Sequence, residues 1–105
     1  MTDETGQARV VRNEELARYE LWVGDAVAGF SEYADSDGRT VFRHTEIDDA
    51  FAGQGLGKVL AAGALDEAVG RGRVIVPVCP FIGSYVRKNP GYTEHVRWPE
   101  GTAGE

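Results

Sequence analysis

Residues 45–58 read TEIDDAFAGQGLGK. The short extended segment Thr45-Glu46-Ile47 leads into an acidic bend at Asp48 and Asp49, and a glycine-rich turn then opens a helix rich in Ala and Leu. Gly53, Gly55 and Gly57 carry no Cβ, so the backbone there can turn tightly and bring its N–H groups against an anion. The helix starting near Leu56 adds unsatisfied N–H groups and the positive end of its dipole. Strand, turn and helix in this order predict a cradle for a diphosphate.

Spacing separates the kinds of glycine loop. A nucleotide-triphosphatase loop needs Gly, four residues, Gly, Lys, then Ser or Thr. Counted back from Gly57 and Lys58, its first glycine falls on Ala52 and its metal-binding hydroxyl on Val59. A dinucleotide fingerprint begins at Gly53 and Gly55 but requires a third glycine where Lys58 stands. Both patterns fail.

Flanking segments follow from periodicity and turn chemistry. Residues 19–23 alternate apolar and polar, Gly24-Asp25 is a turn, 26–33 is a partner strand, and Ser36-Asp37-Gly38 turns into a third strand over 39–47. Apolar residues at 56, 59, 60, 64 and 68 predict a helix over 56–69, ended by Gly70 and Gly72. The apolar run 74–78 suits an interior strand. Pro80 opens a second helix reaching Lys88, and Asn89-Pro90-Gly91 turns into a last strand over 92–98. A helical crossover joins strands 39–47 and 74–79, which makes them parallel neighbours.

The run FAGQGLGKVL at 51–60 resembles the pyrophosphate loop of the GNAT superfamily of N-acetyltransferases, written Arg or Gln, two residues, Gly, one residue, Gly or Ala. Ala52 stands where Arg or Gln is usual, so a backbone cradle remains while one side-chain phosphate contact is absent. His44-Thr45-Glu46-Ile47 before the loop, and VPVCPF at 76–81, Tyr85 and Asn89-Pro90-Gly91-Tyr92 after it, are similar to the minimal single-domain branch of that superfamily. The resemblance spans residues 8–99. It implies an α/β fold with a mixed sheet in the order β-β-β-α-β-α-β, acetyl-CoA as co-substrate without a metal, and acetyl transfer to an amine of a small molecule or protein. A non-catalytic acyl-CoA-binding or protein-interaction module is the alternative, because no long helical pattern precedes the strands to build an acceptor pocket.

In the resembling family the two parallel strands splay and pantetheine lies in the gap. Backbone groups of Thr45 and Ile47 would then meet the pantetheine amides. Gly53, Gln54, Gly55, Leu56, Gly57 and Lys58 would hold the pyrophosphate, with Lys88 or Arg87 balancing its charge. Acetyl transfer requires a neutral amine, donors for the developing oxyanion and a proton for the departing thiolate. Glu46 or His44 is the candidate base, an N–H near Ile47 the oxyanion donor, and Tyr85 or Cys79 the acid. In a covalent variant Cys79 accepts the acetyl group first, as a thiolate of the kind helix N-termini favour.

Composition bounds the partners. A chain of 105 residues that is 42% hydrophobic supports one domain with a modest core. The formal charge of −6 argues against nucleic acid and is compatible with a cationic acceptor. One cysteine excludes a disulfide framework and any multi-cysteine metal site. Residues 1–9 lack the character of a signal peptide, and no apolar run approaches the ~20 residues of a membrane span, so a cytoplasmic location is expected. Disorder is expected at 1–7 and 100–105, as is a monomer or weak homodimer.

Overall fold

Alternation along the first half of the chain produces an antiparallel meander: β1 (Ala8–Asn13), β2 (Arg18–Val23), β3 (Ala26–Ser36) and β4 (Arg39–Ile47). The computed structural model describes residues 8–99; the expected disorder of the two termini lies outside the described residues. Each hairpin is tight, and Asp37 and Gly38 both take positive φ, 49° and 81°, in the two-residue turn between β3 and β4. Such turns match the right-handed twist of the flanking strands. After a single 3₁₀ turn at Asp49–Phe51, helix α1 (Leu56–Gly70) crosses to β5 (Val74–Pro77), and helix α2 (Pro80–Lys88) follows. The sheet order is β1-β2-β3-β4-β5, with β4 and β5 parallel as the crossover requires.

Two expected elements differ. No first strand was expected before residue 19, yet Ala8–Asn13 pairs with β2 along its whole length. The charged residues interrupting its apolar pattern suit an edge strand, where long stems cover the sheet while their heads reach water. The expected last strand over 92–98 is instead a 3₁₀ helix at Pro90–His95, and only Val96 bridges to Ile75. Pro90 presets helical φ, and Tyr92 N–H closes back on Asn89 O at 3.2 Å, so the chain coils before it can extend.

One face of the sheet carries Tyr19, Leu21, Ala28, Tyr33 and Phe42, all buried, against Leu60, Ala61, Ala64, Leu65 and Ala68 of α1. Gly63 permits this close approach: a Cβ there would lie 2.5 Å from Val10 Cγ2 on β1. Tyr19 Oη donates to Glu67 Oε1 at 2.6 Å, and Arg71 bonds to both groups. Burial, followed by the bond to Glu67, raises the Tyr19 phenol far above its ordinary range.

The other face, away from α1, holds a buried carboxylate. Glu20 accepts from Arg18 Nε (2.9 Å), Asn13 Nδ2 (3.0 Å) and Trp22 Nε1 (3.1 Å). Burial, the largest single effect, pushes its pKa up, but the three donors and the Arg18 charge together outweigh it and hold it below the ordinary 4.5. A depressed folded-state pKa contributes stability above the unfolded value that is lost as pH falls through the folded value. Glu20→Gln is therefore expected to lower stability at pH 7 and to flatten the acid limb of the stability profile below about pH 4.5. Urea denaturation of both proteins across that range checks this; parallel acid limbs would refute it.

Candidate functional site

The site is built where β4 and β5 part company. Parallel pairing runs from Arg39↔Val74 to Phe42↔Pro77 and then stops. The final link is Cys79 N–H donating to Phe42 O at 2.8 Å. Beyond it, β4 continues for five residues against β3 alone.

A β-bulge sets the orientation of those residues. The β3–β4 register runs Tyr33↔Phe42 and then Glu32↔His44, so Arg43 is an extra residue on β4. Before the bulge Thr40 and Phe42 face the core; after it the inward positions become Thr45 and Ile47. Asp48 N–H donates to Ala28 O at 2.7 Å, which directs the main-chain groups of Asp48, and by alternation those of Glu46 and His44, toward β3. The main-chain groups of Thr45 and Ile47 consequently point into the splay. Gly29 fits beneath this segment because a Cβ would lie 2.6 Å from Glu46 O and from Ile47 Cδ1.

The glycine loop borders the splay. Gly53 and Gly55 have φ of 82° and 74°, a conformation L side chains rarely adopt, and among the described residues, chain neighbours apart, no atom lies within 4 Å of a Cβ built on either. Gly55 is the N-cap of α1 without a side-chain capping bond. The loop, with no side chains at 53 and 55, leaves room beside the first turn of α1, whose leading N–H groups have no intrahelical partner, a donor set that fits a diphosphate. Gln54 and Lys58 are exposed, and Leu56 is buried as the first core residue of the helix.

Cys79 is the N-cap residue of α2 and only 3% exposed. Its thiol donates to Thr45 Oγ1 across the splay at 3.4 Å, and Thr45 Oγ1 also bonds Ser31 Oγ at 2.9 Å. Tyr85, Lys58 and Lys88 line one small cleft with Phe81 and Ser84. Phe81 is 40% exposed, and its ring covers Gly57, where a Cβ would lie 2.8 Å from Cζ. Glu46 is separate: directly opposite Phe30 on β3, it faces away from α1 and holds His44 Nε2 at 2.9 Å through Oε2. The structure therefore joins Cys79 to Thr45 and gathers Tyr85 with both lysines, but forms no hydrogen-bonded set of Cys79, Tyr85 and Glu46.

Sequence reasoning did not single out the Thr45 hydroxyl, Phe81, Ser84, Asp48 or Phe30. In the sequence the apolar Phe42 and Ile47 differ in parity within one strand, which signals an irregularity between them but does not locate the extra residue. The packing of Phe81 on Gly57 joins two helix starts distant in sequence, and no local pattern announces it.

Among the described residues no group of side chains is arranged to hold a metal ion, and no helix is long and apolar enough to cross a membrane. The fold is similar to the NMR solution structure of a GCN5-like N-acetyltransferase candidate from Staphylococcus aureus, with a TM-score of 0.66 at 20% identity over 94% of this chain and 97% of that one. Protein NATD1 of Gallus gallus is 40% identical over 57 residues, covering 52% of each chain. Protein NATD1 of Homo sapiens is 42% identical over 48 residues, covering 46% of this chain and 42% of the relative. The chain thus spans about half the length of the curated relatives it matches. Residues 18–96, from the start of β2 to the bridge at Val96, match the family described as GCN5-related N-acetyl-transferase. With the glycine loop, the splay and this match covering most of its length, the chain belongs to the GCN5-related N-acetyltransferase family.

Proposed function

We propose that this protein transfers the acetyl group of acetyl-CoA to an amine. The observation that carries the reading is the parting of β4 from β5 directly after Phe42 and Pro77, with the main-chain groups of Thr45 and Ile47 turned into the gap beside an open glycine loop. Pyrophosphate would rest on the N–H groups of residues 53–58, with Lys58 and Lys88 neutralising phosphate charge. The pantetheine arm would run along β4 and bring the thioester to Cys79.

In the direct route, Glu46 takes the proton of the arriving ammonium and the neutral nitrogen attacks the carbonyl carbon. A C–N bond forms and the C–S bond breaks while Ile47 N–H holds the oxyanion. Tyr85, on the cofactor side of the site, gives a proton to the CoA thiolate, and the second proton, shed by the nitrogen as the amide forms, restores the phenol through solvent. The place of Cys79, across the splay from Thr45, opens a second route, in which the cysteine sulfur, as thiolate, displaces CoA, carries the acetyl group as a thioester, and yields it to the amine.

Calorimetric titration with acetyl-CoA, ATP and NAD at equal concentrations tests the reading. Selective binding of acetyl-CoA is expected; no binding, or a preference for ATP or NAD, would overturn it. Cys79→Ala then separates the routes. Lost turnover with retained binding, together with an acetylated Cys79 in the mass spectrum of the parent protein, identifies the covalent route. Undiminished transfer identifies the direct one. Binding without transfer to any of a broad amine panel would leave an acyl-CoA-binding module.

A further inference from the structure

Resting on the acetyl-transfer reading, we propose that the acceptor is a small dicationic amine, an α,ω-diamine without a carboxylate, seated in a cleft on the sheet face away from α1. The cleft measures about 210 Å³ and is lined by Arg18, Val27, Gly29, Phe30, Glu46 and Asp48. Its position follows from the bulge at Arg43. Thr45 and Ile47 turn their side chains toward the helical face and their main-chain groups into the splay, and this sends the Glu46 side chain through to the opposite face. The glycine loop delivers the thioester from one side of the sheet. The cleft shares with the gap the strand β4, on which Glu46 stands between Thr45 and Ile47.

The charges select a cation. Arg18 is answered within the fold: its Nε donates to Glu20 at 2.9 Å and its guanidinium lies over the Phe30 ring, 4.8 Å from the centroid. Glu46 uses Oε2 to hold His44, and Asp48 uses Oδ1 to accept from Ala50 N–H at 2.9 Å. Glu46 Oε1 and Asp48 Oδ2 have no hydrogen-bond partner among the described residues and belong to carboxylates on the cleft wall. Positions two apart in an extended chain are separated by roughly 7 Å. The nitrogens of a short diamine lie a comparable distance apart, and its methylenes suit the Phe30 and Val27 walls.

Asp48 then holds the distal ammonium. The reacting ammonium gives its proton to Glu46 and attacks as the neutral amine. An amino acid would bring its own carboxylate against two others and be repelled.

The test compares putrescine, n-butylamine and γ-aminobutyrate as acceptors at saturating acetyl-CoA. Putrescine is expected to exceed n-butylamine in kcat/KM by at least about tenfold, with γ-aminobutyrate poorest. Asp48→Asn, which keeps an oxygen for the Ala50 cap, should bring the putrescine to n-butylamine ratio close to one without changing acetyl-CoA affinity. Equal use of the three acceptors, or a preference that survives Asp48→Asn, would overturn the proposal. Independently of turnover, amide shifts on titrating putrescine alone should center on residues 27–30 and 46–48 and vanish in Asp48→Asn. Their absence in a protein that binds acetyl-CoA would refute the cleft while leaving the acetyl-transfer reading intact.

Discussion

Gly55→Val is expected to weaken acetyl-CoA binding about a hundredfold. Gly55 adopts φ of 74° at the N-cap of α1, and a β-branched residue held there costs roughly 1–2 kcal/mol. Among the described residues, apart from its chain neighbours, nothing stands within 4 Å of a Cβ at this position, so the valine meets no packing obstacle and its effect falls on the loop conformation and on the room beside the N–H groups at the helix start. Displacing a diphosphate from two such donors forfeits about 1.5 kcal/mol each, close to 3 kcal/mol in all, and each 1.4 kcal/mol is about tenfold in affinity. Gly70→Ala is the control: the far end of the same helix has ordinary φ and open space for a methyl group. Calorimetry with acetyl-CoA, beside thermal melts showing both variants folded, checks the result. An unchanged affinity in Gly55→Val would remove the loop from cofactor binding.

Phe42→Ala is expected to cost about 3–5 kcal/mol of stability, a large share of the 5–15 kcal/mol typical of a domain. The Phe42 ring is fully buried and stacks on Tyr19 with centroids 5.8 Å apart. Its carbonyl also accepts from Cys79 N–H, the last tie before the strands separate. Truncation therefore leaves a cavity at the apex of the splay, and acetyl-CoA affinity should fall together with stability. Urea denaturation should show a lower midpoint at unchanged slope. Phe42→Leu, which retains most of the volume, should cost less than about 1.5 kcal/mol. A loss below ~1 kcal/mol for Phe42→Ala would show that the apex repacks freely.

Much of this architecture was legible in local pattern. The glycine spacing at residues 53–57 marked the loop and the start of α1 at Leu56, and Pro80 marked the start of α2. The crossover of α1 required β4 and β5 to be parallel. These features depend on φ restrictions, missing Cβ atoms and periodicity, which act over a few residues and so are written in the order of the chain.

Other features depended on partners distant in sequence. β1 exists because its edge meets β2 and because Gly63 lets Val10 dock on α1. The segment 90–95 coils, although its aromatic and threonine residues suit a strand, because Asn89 and Pro90 start a turn and Tyr92 Oη ties back to Asp66 Oδ1 at 2.7 Å. The amino-acid sequence by itself determined the glycine turn, the helix starts and the parallel pair. Only the tertiary structure decided that Thr45 faces Cys79 while Glu46 faces the opposite side, because the bulge at Arg43 arises from the pairing of β3 with β4 and reverses the facing of every residue after it.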